Sequence, residues 1–253
     1  MNNIETDFMR DVGTKFIYPV YQPIVNGHRR IVGFEMLIRW CVNGVEKQPQ
    51  DFLPYFNEKK LWLALTAVML ETAAKKVNYY GGKIYFSINI PAVLLGDEQL
   101  YELLDIAKRL LVKDDWYDCL VLEIPENICL ESKVLESINH LYSQGWRLEL
   151  DDCFSVSSGT FPIKTVRFSG YKLDRSIIAT FLADSYEASL IRALNYFCVL
   201  TGSRCTAEGV DDHQKFSMLA KLGIDNFQGY EISKPVPDAE LDDLVRFHCY
   251  QQF

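Results

Sequence analysis

Two apolar-rich runs, FIYPVYQPIV (16–25) and IVGFEMLIRW (31–40), open the patterned part of the chain and read as strands. The link between them, NGHRR, contains Asn26-Gly27, a strong tight-turn signal, so the runs are expected to pair antiparallel. The period then changes. Residues 51–80 repeat apolar positions at helical spacing and stop at Gly81-Gly82. Strands follow at 83–90, 118–124, 146–152, 165–174, 203–210 and 224–230. Helical patterns at 97–111, 131–145, 185–202, 211–223 and 238–252 alternate with them, and an irregular Ser/Gly-rich stretch covers 153–162. Such alternation builds βαβ units on a parallel sheet. Eight strands at this spacing fit a (β/α)₈ TIM-like barrel better than an open sheet, with one strand antiparallel because of the hairpin. No low-complexity linker interrupts the pattern, so residues 1–253 are expected to form a single domain.

The apolar strands carry polar residues where buried β-runs should have none. Glu35, Asn89, Glu123, Asp151, Asp152, Lys172, Glu208 and Gln228 each lie toward the C-terminal end of a predicted strand. In a barrel those ends meet on one face, where active sites form. One or two such residues would be ordinary loop starts; seven successive strands each supplying one point to a site. Carboxylates with an amide make a hard oxygen cluster suited to Mg²⁺, Mn²⁺ or Ca²⁺ and poorly to zinc. Carboxylates this close repel and raise one another's pKa, a penalty that bound cations remove. Two hard cations beside a lysine suit phosphodiester hydrolysis. Glycoside hydrolysis by a carboxylate pair is the alternative chemistry, but the aromatic platforms that bind sugars are scattered here.

Composition narrows the partners. Lys and Arg number 26 against 34 Asp and Glu, a net charge of −8, which argues against a nucleic-acid polymer as ligand. An anionic small ligand requires local cations. The start of the chain lacks the basic and apolar segments of a secretory signal, and no apolar run is long enough to span a membrane. Seven scattered cysteines without a C-x-x-C pair read as reduced thiols, so a cytoplasmic location is expected.

The strand-end residues sit in motifs that resemble the EAL domain family of cyclic di-GMP phosphodiesterases. GFEMLIRW (33–40) is similar to the signature, with Met36 for Ala. YQPIV (21–25), FSINIP (86–91), LEIPEN (122–127), LELDD (148–152), YKLDRSII (171–178), AEGVDD (207–212) and QGYEISKP (228–235) continue it in the family's order. The resemblance runs from about residue 16 to 245 and implies a (β/α)₈ barrel with one antiparallel strand. It further implies metal-dependent opening of cyclic di-GMP to linear pGpG, with two Mg²⁺ or Mn²⁺ ions. By the resemblance Glu35, Asn89, Glu123 and Asp151 correspond to primary metal ligands and Asp152 to the ligand of a second metal. Lys172 and Glu208 correspond to residues that position or activate water, Glu208 being a general-base or metal-binding candidate. Gln22, Leu37 and Arg39 match dinucleotide contacts, Arg39 through a phosphate. Gln228 matches a contact in the metal and substrate region, and Glu126 a glutamate bracing the loop after the fifth predicted strand.

That loop is where the chain departs from the family. Where the family has Asp-Asp-Phe-Gly-Thr-Gly, this sequence has Asp151-Asp152-Cys153-Phe154-Ser155-Val156, without either glycine. Positive φ there would be strained, and Phe154 is expected to send the loop along a different path. Asp211 stands for an expected Glu, and Pro125 for a common Thr. Two classes stay open: a working stand-alone phosphodiesterase, and a weak or inactive relative acting as a cyclic di-GMP receptor or protein-interaction regulator. A homodimer and a regulatory protein partner are open for either class.

Overall fold

The computed structural model describes residues 3–126, 131–155 and 165–250. The expected hairpin forms first. β1 (Ile17–Asn26) pairs antiparallel with β2 (Ile31–Val42), with Gln22 opposite Glu35. The turn is held by Asn26, whose Oδ1 accepts from the backbone N–H of His28 at 3.0 Å and of Arg30 at 3.1 Å. A short strand, β3 (Val45–Lys47), folds back on the end of β2.

Six parallel strands complete the barrel: β4 (Tyr85–Asn89), β5 (Leu120–Pro125), β6 (Arg147–Cys153), β7 (Gly170–Leu173), β8 (Arg204–Ala207) and β9 (Asn226–Phe227). Their order runs β1-β9-β8-β7-β6-β5-β4-β2, and the β1–β2 pairing closes the ring. β1 is antiparallel to both neighbours. The expected barrel with one antiparallel strand is therefore the fold. The helices α2 (Lys59–Tyr79), α3 (Glu98–Arg109), α4 (Ser132–Ser143), α6 (Ser185–Thr201), α7 (His213–Lys221) and α8 (Leu241–Tyr250) lie between or after strands. Their buried faces join the outer faces of the strands in one core.

Several boundaries differ from the expectation. The helix expected over 51–80 begins at Lys59, because Pro49 and Pro54 open two separate 3₁₀ turns before it. The strands expected at 165–174, 203–210 and 224–230 pair over only four, four and two residues. Two helices were not expected, α1 (Asn3–Asp11) and α5 (Arg175–Thr180). α1 is tied down by Phe8, fully buried, and by Asp11 Oδ2, which accepts from Trp40 Nε1 at 3.0 Å. Cys41, Cys119, Cys153, Cys198 and Cys205 are free thiols, while the side chains of Cys129 and Cys249 lie outside the described residues.

Candidate active site

Lys172 organises the C-terminal mouth of the barrel. It sits on β7 with its side chain 1% exposed, and four carboxylates surround its ammonium. Nζ lies 2.6 Å from Glu208, 2.9 Å from Glu123, 3.0 Å from Asp151 and 3.5 Å from Glu35. Those acids come from four different elements. Glu35 is on β2, Glu123 near the end of β5, Asp151 on β6, and Glu208 immediately after β8. Burying an ammonium is costly unless opposite charge surrounds it, so each strand must deliver its acid for Lys172 to sit there.

The amides fix Glu35. Gln228 Nε2 donates to Glu35 Oε2 at 2.5 Å and Asn89 Nδ2 to Glu35 Oε1 at 3.2 Å. Gln228 Nε2 also reaches Gln22 Oε1 at 3.1 Å across the β1–β9 closure. Gln22, Glu35, Leu37, Glu208 and Gln228 line a cleft of about 570 Å³. Arg39, two residues beyond Leu37 on the same strand face, lies outside that lining. Its Nη1 donates to the Ile38 carbonyl at 2.8 Å and its Nε faces Glu46 at 3.6 Å. Glu126 is half-buried just past β5, and the loop it was expected to brace lies largely outside the described residues.

Consecutive residues of a regular strand point to opposite faces, yet Asp151 and Asp152 both serve this mouth. A bulge explains it. β6 advances from Leu150 to Cys153 while β7 advances only from Tyr171 to Leu173, and Asp152 takes φ 58°. Carboxylate oxygens of Asp151, Asp152 and Glu208 consequently lie within 4.8 Å of one another. Phe154 follows at φ 64°. Phenylalanine thus occupies a positive φ, the conformation expected to be strained there without glycine. Residues 156–164 of the altered loop lie outside the described residues.

Five ionised acids against one lysine leave a strong excess of negative charge. Burial, reinforced by Glu35, raises Glu123 well above the usual carboxylate range. Burial likewise pushes Glu208 up to about 8, although Lys172 pulls it down. Burial and the adjacent Asp151 raise Asp152 to about 6. For Lys172 burial acts downward, but Asp151, Glu123, Glu208 and Glu35 together hold it well above its ordinary value. Without another cation the cluster therefore retains protons near neutral pH. Both Glu123 oxygens, Asp151 Oδ1 and Glu208 Oε1 are buried without an aligned hydrogen-bond donor. Hard, underused oxygens beside protonated acids fit a divalent cation, which would displace those protons.

The cleft also contains residues the sequence did not single out for it: Arg175, Tyr230 and Gly209. Asp211, noted only as a shortened Glu, lines it too, and Lys215 Nζ donates to its Oδ1 at 2.7 Å. Gly209 has φ 66°, and a Cβ there would sit 2.5 Å from that of Arg175, so the position needs glycine on both counts. The glycine within AEGVDD was the available signal.

The sequence profile of the EAL domain matches residues 5–235. The chain is 29% identical over 251 residues to the probable cyclic di-GMP phosphodiesterase PdeN of Escherichia coli K12, covering 95% of this chain and 47% of that protein. The crystal structure of an EAL domain protein from Listeria monocytogenes EGD-e superposes with a TM-score of 0.84 at 27% identity, over 96% of both chains. The PaMucR phosphodiesterase in complex with c-di-GMP shares the fold, with a TM-score of 0.79 and 23% identity over 94% of this chain and 99% of that one. The chain spans about half, or less, of the length of the curated relatives it matches. No helix among the described residues is long and apolar enough to cross a membrane.

Proposed function

This chain belongs to the EAL domain family, and we propose that it hydrolyses cyclic di-GMP to linear pGpG at the mouth of the barrel. The observation that carries this reading is the Lys172 ammonium within 2.6–3.5 Å of four carboxylates, next to the Asp151, Asp152 and Glu208 trio. A receptor that only holds a dinucleotide gains nothing from burying so much like charge. Glu35, Asn89, Glu123, Asp151, Asp152 and Glu208 would hold two Mg²⁺ or Mn²⁺ ions. When bound, such ions make water more acidic and offset charge on phosphate oxygens.

The remaining work falls to the chain. Glu208, protonated at neutral pH in the metal-free cluster, would accept a proton from water once bound cations had displaced its own. Lys172 keeps its proton, holds the acids in register and offers positive charge to the reacting phosphate. Gln228 and Asn89 orient Glu35 by the two amide bonds described above. Gln22 and Leu37 form the bed on which the dinucleotide lies. Arg39 reaches a phosphate by exchanging its contact with Glu46, a guanidinium fork being suited to that partner. Glu126 steadies the chain entering the altered loop. The expected compartment is the cytoplasm.

Incubation of the purified protein with cyclic di-GMP and Mg²⁺ or Mn²⁺, followed by product separation, tests the reading. Linear pGpG that disappears in excess chelator supports it. A second reading, a receptor without turnover, is favoured by Phe154 where a glycine would serve the left-handed turn. Nucleotide binding with no pGpG after long incubation with Mn²⁺ would establish that reading and overturn the first.

A further inference from the structure

The geometry points to a second ligand site, for a small phosphate-bearing anion, at the opposite end of the barrel from the carboxylate mouth. This inference stands independently of the hydrolysis proposed above. The strands that supply the mouth begin in a second cavity of about 340 Å³. Tyr85 starts the strand that ends at Asn89, Arg147 the strand that reaches Asp151, and Arg204 the strand that leads to Glu208. Four residues of strand separate the two ends in each case, about 13 Å at the usual rise. The two cavities have no lining residue in common.

The second cavity is rich in donors. Lys83, Arg147 and Arg204 line it, and Asp118 is its one acidic lining residue. Lys83 and Arg204 form no ion pair within the described residues, and both are exposed to an incoming ligand. Two further donors are built into the wall. Asn226 is 5% exposed and its Nδ2 has no hydrogen-bond partner, whereas the hydroxyl of Tyr85, 4% exposed, interacts with the Arg147 guanidinium. Arg147 Nε, like Asn226 Nδ2, is buried without a hydrogen-bond partner. Leaving a buried donor unpaired costs about 1–3 kcal/mol, so Asn226 Nδ2 and Arg147 Nε at one cavity favour a partner that supplies acceptors.

Arg147 is held in place from behind. Its Nη2 donates to Glu149 Oε1 at 2.7 Å, and its guanidinium lies 4.0 Å from the centre of the Tyr85 ring. Glu149 is itself buried, and Gly170 makes room for it, since a Cβ at 170 would approach Glu149 Cγ to 3.0 Å. With one guanidinium nitrogen committed to Glu149, Nε remains for a ligand. A guanidinium, an amide and two exposed cations offer more donors than the two oxygens of a carboxylate accept. The terminal oxygens of a phosphate match them better, and the cavity leaves space for a small organic group.

Titration calorimetry in EDTA tests the site with inorganic phosphate, with glycerol phosphate, and with acetate at matched ionic strength. Either phosphate compound is expected to bind saturably and acetate is not. Tighter binding of glycerol phosphate identifies a phosphomonoester; equal binding identifies free phosphate. Arg204→Gln should weaken binding about fivefold, and Lys83→Gln with Arg204→Gln by about tenfold or more, as expected for lost charge-assisted contacts. Both positions are exposed, so folding is not at stake. Arg39→Ala, at the other mouth, should leave phosphate affinity unchanged. No saturable binding of either compound, an equal response to acetate, or a loss in Arg39→Ala with none in Arg204→Gln would overturn the proposal.

Discussion

Raising the pH should weaken the metal-free protein, and Glu208→Gln should remove much of that weakness. Glu208 titrates near 8 in the folded protein against an ordinary value of 4.5. A carboxyl whose pKa is raised on folding stabilises the fold fully below its unfolded value. That contribution is lost as the pH climbs through the folded value. At about 1.4 kcal/mol for each tenfold change in proton concentration, the rise corresponds to at most about 5 kcal/mol between pH 4.5 and pH 8. Glu123 shares the field of Lys172 and will take up part of the proton released by the substitution. A net gain of about 2–3 kcal/mol for Glu208→Gln at about pH 8.5 is therefore expected. Urea unfolding in EDTA at about pH 5.5 and about pH 8.5 measures it for both proteins. Mn²⁺ should flatten the slope of the native protein by displacing the same protons. Native stability that is constant or rises across this window, or a variant weaker than the native protein at the higher pH, would refute the reasoning.

Replacing the central cation should act in the opposite sense. Lys172→Met leaves four acids uncompensated, so a loss of about 3–5 kcal/mol in the metal-free protein near neutral pH is expected, shrinking in acid; equal losses at both pH values would count against it. Phe154→Gly should raise the unfolding free energy by about 0.5–1 kcal/mol, seen as a higher urea midpoint, because glycine accepts the left-handed conformation without the usual Cβ penalty. A lower midpoint would mean that the ring packs more than its exposure implies. Arg39→Ala should weaken cyclic di-GMP binding by about 1.5–3 kcal/mol in calorimetry, with Arg39→Lys recovering only part. Unchanged affinity would place the phosphate elsewhere.

The barrel was legible because its strands are apolar and its helices amphipathic, and because the polar exceptions fall at strand ends. Glu35, Asn89, Glu123, Asp151, Asp152, Lys172, Glu208 and Gln228 come together for that reason. The roles assigned to them remain for the experiments above. Parity would also have flagged Arg147 and Glu149, which share a face with Asp151, but they stand at the start of the strand, where a polar residue reads as a loop end. α1 escaped notice because its apolar positions are few; its burial comes from Phe8 packing on Trp40, Phe52 and Phe56, far away in sequence. Phe154 shows local preference yielding to its surroundings. Glycine is the residue the turn favours, but Asp174 N–H donates to the Cys153 carbonyl at 3.0 Å and Ser155 N–H to the Asp152 carbonyl at 3.0 Å, which pins the backbone on both sides.

The Gln22–Gln228 hydrogen bond joins residues 206 positions apart, and Gln228 reaches Glu35 across 193. Both bonds cross the seam where the first and last barrel strands meet. During synthesis the hairpin bearing Glu35 emerges early and must wait, its edge unpaired, until β9 leaves the ribosome. Contacts of such long sequence separation form slowly, and an open parallel sheet exposes apolar strand edges in the meantime. A chain stopped short of residue 226 would carry Glu35, Glu123, Asp151 and Lys172 and still lack the strand that closes the ring around them.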